Sequence, residues 1–282
     1  MGRKRQIAVV MALCVICSIA PLSAGADLDR EVALFKSGRA YVPLRAVFEW
    51  LGVKVDYING SITATRDGDL VFLWIGSTRV VKNGEASELD VAPFETGGKA
   101  FVPLRFVAEA FGTDVEHHPE DGNVSVSYEG REALLLIHTY RPGWLPFRGT
   151  WFMVEYPAHF TVTPREASAS GEGYEAASFL SPDGLVEFYV FSPQWGGQSE
   201  WVKLQPGEKE IARSVDGSDK RTTTQVTYAG PQRSYERAWI EIRDTLSNTN
   251  WYFGFKYRDK SALDRYRPMY LQFRDSLVQY AD

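Results

Sequence analysis

AYVPLRAVFEWLG, residues 40–52, returns sixty positions later as AFVPLRFVAEAFG, residues 100–112. Aligned without a gap, 38–55 and 98–115 are identical at ten of eighteen positions. A match of that kind within one chain marks a duplicated building block. Each copy parses alike. A short apolar strand leads into Pro43 or Pro103, which suits the first turn of a helix, where a missing N–H costs nothing. Leu44, Val47, Phe48 and Leu51 then recur at helical spacing, as do Leu104, Val107, Ala108 and Phe111, so each helix has one core face. Gly52 and Gly112 stand where a helix ends in a left-handed residue.

Working outward, tight turns separate the copies. Asp67-Gly68 lies between SITATR and LVFLWIG, and Asn83-Gly84 between TRVV and EASELDV. Asx-Gly between apolar alternations is the strongest short hairpin signature. The region 27–130 therefore reads as one antiparallel, hairpin-rich α+β unit with two short helices from the repeat. The paired VPLR…E…G motifs, with KNGEASELDVAP between them, resemble the stalk domain named after the N-terminal domain of copper amine oxidases. That resemblance implies an exported spacer or interaction module. It implies neither copper nor oxidase activity, because that chemistry belongs to a different domain.

The ends of the chain say where it works. MGRKRQ, a fourteen-residue apolar run and Ala24-Gly25-Ala26 form a signal peptide over 1–26. No small residue precedes Cys14 or Cys17 in the pattern a lipoprotein needs, since Leu13 and Ile16 stand there. Both cysteines fall in this leader, so the mature chain is expected to hold no disulfide and no thiolate. Removing Arg3, Lys4 and Arg5 leaves 28 basic against 36 acidic residues, a formal charge of −8 in place of −5. Such a balance argues against nucleic-acid binding, which needs a basic face. No later apolar stretch has transmembrane length. The expected location is secreted and extracytoplasmic, with cell-wall association as the narrower form.

Beyond Tyr128 the texture changes, and 131–149, rich in Pro, Gly and Trp, reads as a linker. From 150 to 282 the chain shows short runs ended by Pro or Gly, then long alternating segments such as NWYFGFKYRD. SALDRYRPMYLQFRDSLVQY closes it with a helical pattern that puts Tyr266, Tyr270, Phe273 and Leu277 on one face, with Pro268 as a kink or restart. A second antiparallel sheet with a C-terminal helix is the expected assembly. The phrases F.VEYPA.FTV, SFLSPDG and VEFYV are similar to PsbP-like domains, a family that is mostly non-enzymatic.

Candidate chemistry is sparse. Arg45 with Glu49, and Arg105 with Glu109, share helix faces at four-residue spacing. Each Arg reads either as an anion receptor or as a clamp inside the fold. The same device at one register in both copies favours the clamp, so Arg45→Ala and Arg105→Ala are each expected to lower thermal stability. His117 and His118 are adjacent on a strand and point to opposite faces, so no metal site is expected. No nucleophile elbow occurs, and Glu172, Glu175, Asp183 and Glu187 are carboxylates without a visible partner geometry. The expectation is a protein that is not an enzyme and carries no cofactor. Tryptophan is the feature with functional promise, because flat exposed rings stack on sugars. Trp195 and Trp201 lie in the loop SPQWGGQSEWVKL, and Trp239 shares the polar side of AWIEIR with Glu241 and Arg243. These three are the candidate ligand residues. The ligand is either a cell-wall polysaccharide or another envelope protein; a hydrolase with a carboxylate pair is the remaining alternative.

Overall fold

The computed structural model describes residues 28–118, 120–171 and 173–280. The signal peptide of 1–26 and the carboxylate of Glu172 lie outside the described residues. The first copy forms a hairpin of β1 (Val32–Lys36) and β2 (Arg39–Pro43), helix α1 (Leu44–Trp50), then β3 (Lys54–Ile58) and β4 (Ser61–Arg66). Hairpin strands β5 (Asp69–Trp74), β6 (Arg79–Lys82) and β7 (Glu85–Glu88) follow. The second copy repeats the plan with β8 (Phe94–Thr96), β9 (Lys99–Pro103), α2 (Leu104–Phe111), β10 (Asp114–His118) and β11 (Asn123–Tyr128). The turns take the conformation their residues were read for: Asn59, Asp67 and Asn83, each before a Gly, all have positive φ.

β2 and β9 pair antiparallel with Val42 opposite Val102, so the two copies meet across a local twofold. Both helices bury the expected stripe. Phe48 and Phe111 meet edge to face at 5.0 Å, with Val47, Val107, Val42 and Val102 around them. Ala108 is only half-buried, and Phe106 and Ala110 are buried in its stead. Pro43 and Pro103 stand one place earlier than expected. They end the strands and cap the helices, with extended ψ of 118° and 130°. Gly52 and Gly112 are left-handed, φ +72° and +65°.

The segment 131–149 is not a linker. Nine of its residues form β12 (Arg131–Thr139), which runs antiparallel to β11 and parallel to β1 inside a seven-stranded sheet, β10-β11-β12-β1-β2-β9-β8. Ala133 and Leu135 point into the core while Leu134 points out, the alternation of a half-buried strand. The strand β13 (Trp144–Arg148) then opens the second unit by pairing with β14 (Phe152–Pro157). Strands β3 to β7 form a separate five-stranded sheet.

The second unit continues with β15 (Thr161–Ala167), β16 (Tyr174–Leu180), β17 (Val186–Phe191), β18 (Lys209–Gly217), β19 (Arg221–Ala229), β20 (Glu236–Asp244) and β21 (Thr249–Tyr257). Helix α3 (Lys260–Asp275) and the short β22 (Val278–Gln279) end it. Its main sheet is antiparallel throughout, in the order β15-β16-β17-β21-β20-β19-β18. Asp259 caps α3 by accepting from the Ala262 N–H at 2.9 Å, and the helix runs on through Pro268. Tyr266 and Phe273 seat it on Phe188, Phe253 and Phe255 of the sheet's inner face. The same core takes in Leu34, Tyr41 and Phe101 from the first unit, and the His138 imidazole meets Glu155 at 2.8 Å across the joint.

Candidate functional site

The central strands β17 and β21 of the second unit's sheet are buried on both faces, and the face away from α3 builds the site. Strand β21 reads TNWYFGFKY. Phe253, Phe255 and Tyr257 point to α3, so Tyr252, Gly254 and Lys256 point the other way. Gly254 is required there. A Cβ at this position would lie 2.3 Å from the Trp201 ring, which fills the space and stacks flat on Tyr189 with centroids 4.8 Å apart. Trp201 belongs to the loop 192–208, which the bare glycine lets settle on the sheet.

Two further fastenings fix this loop. Asn250 clasps Gly197 by both amide atoms, accepting from its N–H and donating to its C=O at 2.7 Å each. Arg237 holds the other end. Its Nε and Nη2 donate to the two carboxylate oxygens of Glu208 at 2.9 and 2.5 Å, and its side chain is 4% exposed against 0% for Glu208. The guanidinium also donates to the carbonyls of Trp201 and Lys203 and lies between the rings of Trp201 and Tyr228, 4.9 Å from each. Burial pushes the Glu208 carboxyl up, yet the Arg237 hydrogen bonds and the Gln205 N–H outweigh it and hold the group below the usual carboxylate range.

Between the fixed loop and the β18 rim lies a cleft of about 770 Å³. Tyr228, Trp239 and Tyr252 line it as an aromatic floor, with Gln198, Arg213 and Arg243 among its walls. Trp239 is only 9% exposed, and its indole N–H is buried without an acceptor. Glu241 is occupied, accepting from the Tyr252 hydroxyl and the Asn250 amide at 2.9 Å each and from Arg243 at 3.2 Å. Burial, with Glu241 beside it, pushes the Tyr252 phenol well above its usual range, so it stays protonated and donating. Arg213 is likewise held by Glu210, at 2.7 and 2.8 Å. The cleft thus offers a floor of largely buried aromatic side chains and fixed polar groups whose charges are paired.

The three tryptophans have three different fates. Trp195 is 73% exposed and precedes Gly196 of the cleft wall without itself lining the cleft. Trp201 is a packing residue of the loop. Trp239 is buried and not exposed as alternation suggested, because the loop and the aromatic side chains of β17 and β21 cover the face expected to meet solvent. The described carboxylates among those named from the sequence are engaged by other groups. Glu175 accepts from Ser168, and Glu187 lies 3.8 Å from Arg165. Asp183 accepts from the Ser181 and Tyr266 hydroxyls, which hold its carboxyl down to about 2. Among the described residues, no group of three His, Cys, Asp or Glu side chains is placed to hold a metal ion, and no helix is long and apolar enough to cross a membrane.

Residues 25–126 match the family model of the copper amine oxidase N-terminal domain. No curated protein matches the chain. Among solved structures it is similar to CyanoP, the cyanobacterial PsbP of Synechocystis sp. PCC 6803, at 10% identity and a TM-score of 0.33, over 50% of this chain and 95% of that one. It is also similar to MucB in complex with MucA(peri), at 13% identity and a TM-score of 0.17, over 81% of this chain and 91% of that one. The Pseudomonas aeruginosa MucA/MucB complex gives 12% identity and a TM-score of 0.16, over 81% and 92%.

Within the amine-oxidase-type unit the motif arginines are not clamps. Arg105 is two-thirds exposed and reaches Asp90 at 3.7 Å. Arg45 is exposed and makes no ion pair among the described residues, and neither Glu49 nor Glu109 pairs with the Arg one turn before it. The helices are held by their apolar faces, so the outer pair adds nothing that folding requires. Arg45→Ala and Arg105→Ala are therefore expected to change stability by no more than about 0.5 kcal/mol. A thermal melt of each variant overlaying the parent curve is the expected result, and a clear drop for Arg45→Ala would restore the clamp.

Proposed function

We propose that the protein is an exported, non-catalytic binding protein whose second unit takes a carbohydrate in the cleft over Trp239. The amine-oxidase-type unit, joined to it through a shared core, serves as a spacer that presents this face at the cell envelope. The observation that carries the reading is the Trp239 indole: a buried N–H without a protein acceptor, on a residue lining an aromatic-floored cleft. An unmet buried donor costs about 1–3 kcal/mol, so a ligand that supplies an acceptor gains by meeting it. Sugars carry hydroxyl acceptors on rings whose apolar faces stack on aromatics, which fits the exposed Trp195 beside Gly196 of the cleft wall. A different observation favours a protein partner as a second reading: β18 is a nine-residue edge strand with every residue exposed, Ile211 and Val215 among them.

The test is retention on a panel of insoluble cell-wall polysaccharides, followed by calorimetric titration of whichever soluble fragment binds. Trp195→Ala is expected to weaken binding roughly tenfold, about 1.4 kcal/mol, while leaving the melting temperature in place. No reducing ends should appear in the mixture. Absence of retention on every polysaccharide, with capture of an envelope protein in its place, would move the assignment to the edge strand.

A further inference from the structure

Four buried tyrosines of the second unit each end on a carboxylate. Tyr189 donates to Glu166, Tyr252 to Glu241, Tyr257 to Glu236 and Tyr266 to Asp183. Tyr156 of β14 does not. It is 4% exposed and its ring packs on Phe179 with centroids 5.0 Å apart, yet its hydroxyl makes no hydrogen bond among the described residues. Burial, with the Glu31 charge nearby, pushes this phenol up to about 12, so it stays a neutral donor. An unmet buried donor is costly, and this one is not sealed in as the Trp239 N–H is. Tyr156 lines a pocket of about 500 Å³.

Both units build this pocket. Pro43 and Phe101 come from β2 and β9, Phe147 from β13, and Val162 and Pro164 from β15. Phe147 and Val162 are half-buried and Pro164 is exposed, so part of the apolar wall remains open to a ligand. Charge does not select an ion here. Lys99, Arg30 and Arg148 line the pocket, but so do Asp29 and Glu31. Asp29 is occupied as well, its carboxylate accepting from the Leu134 N–H and its carbonyl from Arg148.

We propose that this pocket binds a small uncharged molecule with an apolar body and a carbonyl oxygen, the oxygen accepting from the Tyr156 hydroxyl. An apolar wall with one placed polar group is the ordinary form of a small-molecule site. A carbonyl fits better than an alcohol, because it brings an acceptor and no proton that needs a second partner. A carboxylate would meet the Glu31 charge, which already opposes a negative charge on Tyr156. The pocket shares no lining residue with the cleft over Trp239, so the two readings stand or fall separately.

The probes are acetophenone and isopropylbenzene, which has the same shape without the oxygen. Each is titrated into the isotopically labelled mature chain and followed by NMR, with the Tyr156 ring signal assigned from Tyr156→Phe. Acetophenone is expected to move that signal along a saturable curve. Read on the backbone amides, Tyr156→Phe should weaken acetophenone at least about fivefold and change isopropylbenzene by less than about twofold. Val162→Trp, which fills the pocket, should abolish binding of both, while Trp195→Ala should leave both unchanged. A Tyr156 signal that acetophenone does not move up to its solubility limit would overturn the proposal. So would equal loss of the two probes in Tyr156→Phe, or benzoate binding more tightly than acetophenone.

Discussion

Arg237→Ala is expected to lower the melting temperature by roughly 10 °C, the largest effect of any single change outside the apolar cores. Its guanidinium and the Glu208 carboxylate are 4% and 0% exposed, and they satisfy each other through two hydrogen bonds. Removing one partner strands the other as a buried charge, which costs about 3–5 kcal/mol. For a chain of this length each kcal/mol corresponds to about 2–4 °C. The loss also frees the carbonyls of Trp201 and Lys203, so the loop 192–208 should come off the sheet before the core melts. Replacing both partners by leucine removes the buried charge and should recover most of the stability. Scanning calorimetry of the single and double variants measures both outcomes. A single variant that melts with the parent would mean that the pair contributes nothing to the fold.

Gly254→Ala should cost about 1–3 kcal/mol, although alanine is otherwise the mildest replacement for a strand glycine. The added methyl would meet the Trp201 ring at 2.3 Å, and the ring is already pressed against Tyr189. Relief requires the indole to leave its stack, which carries the cleft wall with it. Stability and ligand binding should therefore fall together, and the near-UV circular dichroism of the stacked pair should shrink. A control at Gly52, where no atom lies within 4 Å of the added carbon, meets only the strain of its positive φ and should leave the cleft untouched. Full ligand affinity in Gly254→Ala would separate the loop from the site.

Much of the first unit was legible because its rules are local. VPLR, the helical stripe, the closing glycine and the Asx-Gly turns each act within a few residues, and the second copy supplies a check on the first. The place of β12 in the first unit's sheet was not legible, since parallel pairing with β1 depends on a partner a hundred residues away. The arginine motif misled for a related reason: the sequence places Arg45 beside Glu49 but cannot say whether anything inside the fold needs them. In the second unit, alternation placed the core face of β21 and misjudged the outer face that carries Trp239. It assigns two sides to a strand without saying that both are covered, so Trp239 read as exposed. The warning was Gly254 amid aromatics, a residue that adds nothing to a half-buried strand and makes room for a ring laid on its back. Arg237 and Glu208 lay beyond sequence reasoning, because a buried ion pair is written in the same letters as a solvated one.

The central claim is that ligand enters the cleft over Trp239 and meets its indole N–H. The indole region of the 15N–1H spectrum tests this directly, with the Trp239 and Trp195 signals assigned from Trp239→Phe and Trp195→Ala. Titrating the bound polysaccharide fragment should move both signals along one saturable curve, with Trp239 shifting as its N–H gains an acceptor. A fragment that binds by calorimetry while the Trp239 signal stays still would contradict the account.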